Sequence, residues 1–176
     1  MTTESNSSFL KVFTGWTNEQ LAFLLLRLWL AMRALLTGLE KFSGTATREV
    51  VTINEFTELE ETTTIAYKAY GVSHYKAIPD VLKEQFTGQP LLPEFMTGPY
   101  YAILGYLLVL LGITLFLGIC LRTSLFVMGL LYISLTYGLI LIKQDGGIAW
   151  LGIHLLLIVG ALLLEKHKRL VIFPRN

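Results

Sequence analysis

Residues 100–121 read YYAILGYLLVLLGITLFLGICL, and after Arg122, Thr123 and Ser124 residues 125–142 continue LFVMGLLYISLTYGLILI. A third run, AWLGIHLLLIVGALLL, fills 149–164, and an earlier one, LAFLLLRLWLAMRALLTG, fills 21–38. Each is close to the ~20 apolar residues with which an α-helix crosses ~30 Å of hydrocarbon. The expected fold class is therefore an all-α membrane protein. A four-transmembrane-helix bundle is predicted, with spans at about 20–41, 99–121, 123–143 and 148–166. The long loop 42–98 between helices 1 and 2 is expected to form a small cap, and 1–176 is read as a single membrane domain.

Composition agrees. The chain is 53% hydrophobic and 15% charged, with a mean hydropathy of +0.59. Soluble domains carry about 25% charged residues. A net charge of +1 offers no electrostatic case for nucleic acid. The single cysteine, Cys120, excludes an internal disulfide, a redox pair and a cysteine metal cluster, and reads as a small apolar filler at a span end. Met1 to Ser8 is polar and lacks the basic and apolar regions of a cleavable signal, so span one is expected to direct insertion.

Charge suggests orientation. Lys166, Lys168, Arg169 and Arg175 follow span four, and Arg122 links spans two and three. The 42–98 loop is net acidic, with Glu49, Glu55, Glu58, Glu60, Glu61, Asp80, Glu84 and Glu94. Cations flank the cytoplasmic ends of spans. Both termini are thus expected in the cytoplasm of a bacterial inner membrane, with the loop outside.

That loop is too long for a plain connector and too apolar for a disordered one. Residues 77–86 read as a short amphipathic helix, with Pro79 and Asp80 in its first turn and Val81, Leu82 and Phe86 on one face. Residues 48–70 are ambiguous: Thr and Val enrichment favours strand, and the Glu spacing permits helix. Tyr70, Tyr75 and Phe86 are aromatic candidates for contact with a partner protein. For close helix approach in lipid, span one offers Ala31, Ala34 and Gly38, span two Gly105 and Gly112, span three Gly129 and Gly138, and span four Gly152 and Gly160.

Ionisable residues within a span are costly and mark candidate sites. Arg33, Thr37 and Glu40 align on one face of span one, and Glu40 is the natural ion-pair mate of Arg33. Tyr137 in span three and His154 in span four join them as ligand-binding candidates in the outer half of the bundle. Arg27 reads as snorkelling to headgroups, and the deeper Arg33 as buried with a partner. His154 has no second intramembrane histidine for a haem pair, so no metal site is expected. Phosphate-loop, dinucleotide, serine-hydrolase and zinc-protease signatures are all missing. No covalently bound cofactor is expected, and redox chemistry would need a borrowed cofactor or a diffusible quinone.

Span one runs Leu26-Arg27-Leu28 and ends Thr37-Gly38-Leu39-Glu40-Lys41-Phe42, and span two ends Gly118-Ile119-Cys120-Leu121-Arg122. These stretches resemble the DoxX/DoxD-like family of small four-span membrane proteins at Arg27, Gly38, Lys41 and Arg122. The family's usual histidine is Thr37 here, and the acidic residue common early in its second helix is absent. The resemblance covers the spans and not the long loop. It implies membrane redox association, at most as a subunit of a thiosulfate:quinone-type oxidoreductase.

Two functions compete. One is a quinone-associated redox subunit, with Arg33, Tyr137 or His154 as donors to the quinone head. The other is a non-catalytic structural or accessory subunit that docks on other membrane protein subunits through 42–98. A small-solute transporter is weaker, because no inverted repeat or broken helix is visible.

Overall fold

The computed structural model describes residues 15–53, 60–87 and 89–168. The sequon-like Asn6-Ser7-Ser8, the loop residues Glu55, Phe56 and Glu58, and the tail cations Arg169 and Arg175 lie outside the described residues. The helices are α1 (Asn18–Glu40), α2 (Asp80–Phe86), α3 (Glu94–Leu117), α4 (Leu121–Leu141) and α5 (Asp145–Leu164). Strands β1 (Ser43–Ile53) and β2 (Glu60–Tyr70) lie between α1 and α2. Single 3-10 turns at Val72–His74 and Glu165–His167 complete the set.

Among the described residues four helices are long and apolar enough to cross a membrane: Asn18–Glu40, Phe95–Leu117, Leu121–Leu141 and Asp145–His167. A 23-residue helix rises about 34 Å, enough for the hydrocarbon core. The bounds fall within a few residues of those expected, except that α3 begins at Glu94 and carries Pro99 inside it. Pro99 removes the N–H that would bond the Phe95 carbonyl, a loss helices in lipid tolerate.

The chain forms two compact units, 36–109 and the remainder. In the larger unit the packed interior comprises Phe23, Leu30, Ala31 and Ala34 of α1, Leu111 and Leu115 of α3, Leu125, Met128 and Tyr132 of α4, and Ile158 and Ala161 of α5. The opposite faces expose Leu25, Trp29, Leu110, Phe116, Phe126, Ile133, Leu156 and Leu163. Apolar outside faces of this extent suit lipid rather than water. A Cβ on Gly112 would lie 2.7 Å from the Leu35 backbone nitrogen, so α1 and α3 meet there backbone to backbone. Gly152, expected to pack, has nothing within 4 Å of a Cβ.

α3 ends in a Schellman motif. Gly118, at φ 77, donates its N–H to the Leu115 carbonyl at 3.2 Å, and Ile119 donates to Thr114 at 2.8 Å. α4 ends the same way, with Lys143 bonded to Ile140 and Gln144 to Leu139. There the left-handed position holds a lysine, at φ 56. Cys120, expected as a small apolar filler at the span end, is exposed and left-handed at the N-cap of α4. The tight link needs that backbone shape more than it needs an apolar plug.

In the 36–109 unit, β1 and β2 pair antiparallel from Ser43↔Tyr70 to Ile53↔Glu60. The ambiguous 48–70 stretch is thus strand wherever it is described, as β-branched Thr, Val and Ile favour. All-α holds for the spans, and the loop adds a hairpin. In α2, Leu82 and Phe86, four apart, turn inward, whereas Val81 is 67% exposed. A helix turns about 100° per residue, so Val81 leaves the face shared by the other two.

Candidate functional site

The base of the hairpin is held to its unit by backbone and side chain together. Gly71 donates to the Phe42 carbonyl at 2.9 Å, and Lys76 donates to the Lys41 carbonyl at 2.7 Å. Lys68 reaches both carboxylate oxygens of Glu40, at 2.7 and 2.6 Å, and the Ser43 hydroxyl donates to Glu40 as well. The carboxylate holds the Lys68 ammonium above its ordinary range. Glu40 therefore pairs with the hairpin and not with Arg33, because strand pairing delivers a cation that helix periodicity cannot see. Tyr70 lies over the same pair, its ring 5.9 Å from Lys68 Nζ and its hydroxyl 3.5 Å from Glu40.

Tyr75 is the second anchor. Its hydroxyl donates to the Tyr101 carbonyl and accepts the Gly105 N–H at 3.1 Å. Those two groups are an i, i+4 pair of α3, so the phenol is inserted into the helix ladder. Only a glycine allows it: a Cβ at position 105 would sit 2.6 Å from the ring. Phe42 and Tyr106 stack around the same ring, with centroids 5.0 and 5.4 Å from it. Tyr75, a candidate for partner contact, is spent internally. Phe86 is half-buried with its ring 6.5 Å from Tyr101, and Tyr70 remains exposed.

Beyond its base the hairpin is bare. Strand alternation places Ala46, Arg48 and Val50 with Ile65, Tyr67 and Ala69 on one face. Thr45, Thr47 and Glu49 share the other with Thr64, Ala66 and Lys68. Ile65 is 47% and Tyr67 51% exposed, and Val51 and Ile53 at the far end are more so. Among the described residues no third strand covers either edge. Ile65, Tyr67, Val51 and Ile53 thus lie exposed on the strands.

The intramembrane candidates fall in both units. Thr37 and Glu40 belong to the 36–109 unit, and Arg33, Tyr137 and His154 to the other. Arg33 and Tyr137 are exposed and Thr37 is half-buried. His154 is buried, 4% exposed, with Tyr132 edge-on at 5.9 Å. Its Nδ1 lies 2.8 Å from the Trp150 carbonyl, which can only accept, so Nδ1 carries the hydrogen. In the neutral ring Nε2 is then a bare acceptor, and it has no partner among the described residues. Sequence reasoning picked His154 for its depth but had no means of finding Tyr132 beside it.

The positions chosen by resemblance have structural work. Arg27, 4% exposed, donates from Nε to the Leu115 carbonyl at 2.9 Å and from Nη2 to Phe116 at 3.0 Å. Together with Gly118 it closes the carbonyl end of α3. A Cβ on Gly38 would meet the Val109 backbone nitrogen at 2.8 Å. Lys41 is half-buried. Arg122 is exposed in the first turn of α4. Among the described residues no three His, Cys, Asp or Glu side chains converge as metal ligands. No protein-family model, curated protein or solved structure matches the chain.

Proposed function

We propose that the chain is an accessory subunit of a larger membrane assembly, docked through the 42–98 segment. The observation that carries this reading is the hairpin, fastened at its base and bare along its length. Eleven-residue strands extend about 35 Å. Isolated two-stranded ribbons are marginally stable, and open edges and a bare apolar face are what added strands and partner side chains use. The partner surface would meet the exposed Ile65 and Tyr67, with Arg48 opposite Ile65 and the half-buried Ala46 and Val50 alongside. On the positive-inside pattern this contact would lie outside a bacterial inner membrane, with both termini in the cytoplasm. Charging the face by Ile65→Lys with Tyr67→Lys should reduce recovery of the assembly about tenfold or more. Membrane insertion should stay intact. Undiminished recovery would overturn the reading.

A quinone-linked role, as the DoxX/DoxD resemblance suggests, has one observation in its favour. The buried Nε2 of His154 is an acceptor suited to a quinol hydroxyl. Quinone extracted in stoichiometric amount from the wild-type chain and lost from His154→Leu would support it. A wild-type chain without quinone would remove it.

A further inference from the structure

A groove between the start of α4 and the end of α5 is lined by Arg122, Thr123 and Phe126 on one side and by Val159, Leu162, Leu163, Glu165 and Lys166 on the other. It is polar at its mouth and apolar one turn deeper. The one acid at the mouth, Glu165, is neutralised by Lys168, whose Nζ lies 2.5 Å from its Oε1. Arg122 and Lys166 have no acidic partner within ion-pair distance among the described residues. α4 also begins without a side-chain cap, so its first amides remain open to an acceptor oxygen.

We infer that this groove binds an acidic phospholipid. Its phosphate would sit between Arg122, Lys166 and the α4 amides, and an acyl chain would lie along Phe126, Val159 and Leu163. The charge selects for an anion, and the apolar floor selects for a lipid over a free phosphate. Two cations flanking such a groove are a recurrent basis for acidic-lipid recognition.

The test is native mass spectrometry of the full chain in neutral detergent, titrated with phosphatidylglycerol or phosphatidylcholine. Wild type should retain phosphatidylglycerol preferentially. Arg122→Gln and Lys166→Gln should each cut that preference about fivefold, and the double variant roughly thirtyfold. Glu165→Gln should leave it unchanged or raised. Both cations are exposed, so the variants should melt as wild type does. If the double variant fails to fold, wild-type retention must still fall as salt rises. Equal retention of the two lipids, an unchanged double variant, or full displacement by inorganic phosphate would each overturn the inference.

Discussion

Arg27 shows how a charge inside a span can be structural. Its planar fork reaches two consecutive carbonyls, Leu115 and Phe116, that the end of α3 leaves open. Arg27→Met should lower stability in detergent by about 2–3 kcal/mol, since bonds to charged donors are worth ~1.5–3 kcal/mol. Arg27→Lys should restore only part of that, and melting curves would register both. Lys143 makes the opposite case, a side chain in a left-handed cap that glycine fills at lower cost. Lys143→Gly should stabilise by about 1 kcal/mol, whereas Gly118→Ala should destabilise. The chemistry at Arg27 and His154 was half legible. Depth in the span marked both, but which carbonyl or ring each would meet depends on helix packing that no single run of residues encodes.

At the scale of elements, the hairpin and its two anchors decide the 36–109 unit. The Tyr75 hydroxyl inserted between Tyr101 and Gly105 means that Tyr75→Phe should cost about 1 kcal/mol. Gly105→Ala, which pushes a methyl into the ring, should cost about 1–3 kcal/mol. Denaturant titration of the detergent-solubilised chain compares the two. The Lys68–Glu40 pair adds a pH dependence. A lysine held above its ordinary value stabilises fully below about pH 10, and that support fades as pH rises through the raised value. Asp80, held low by Lys76, acts in reverse, supporting the start of α2 above its ordinary value and losing that as pH falls. Amide protection, taken relative to the intrinsic exchange rate at each pH, should therefore fall in the hairpin base at high pH and in α2 at low pH. Both pairs are exposed, so added salt should blunt both effects. The strands themselves were partly legible from Thr, Val and Ile. Their start at Ser43 and their register were not, since pairing across a turn carries no local period.

For the whole molecule, four apolar runs announced four membrane-length helices because lipid imposes length and hydropathy on any helix that crosses it. Arg33, Thr37, Glu40, Tyr137 and His154 were grouped by depth and helical face, and the fold distributes them between two units, with Glu40 committed to Lys68. Depth is set by composition, whereas convergence is set by helix rotation. The proposed role therefore rests on the bare hairpin face. The most direct test is site-specific photocrosslinking in native membranes, with the probe at Ile65 or Tyr67 on one face and at Thr64 or Ala66 on the other. A docked accessory subunit predicts one protein adduct of defined mass from positions 65 and 67, with little from 64 and 66. Adducts to lipid alone, or equal yields from both faces, would contradict it.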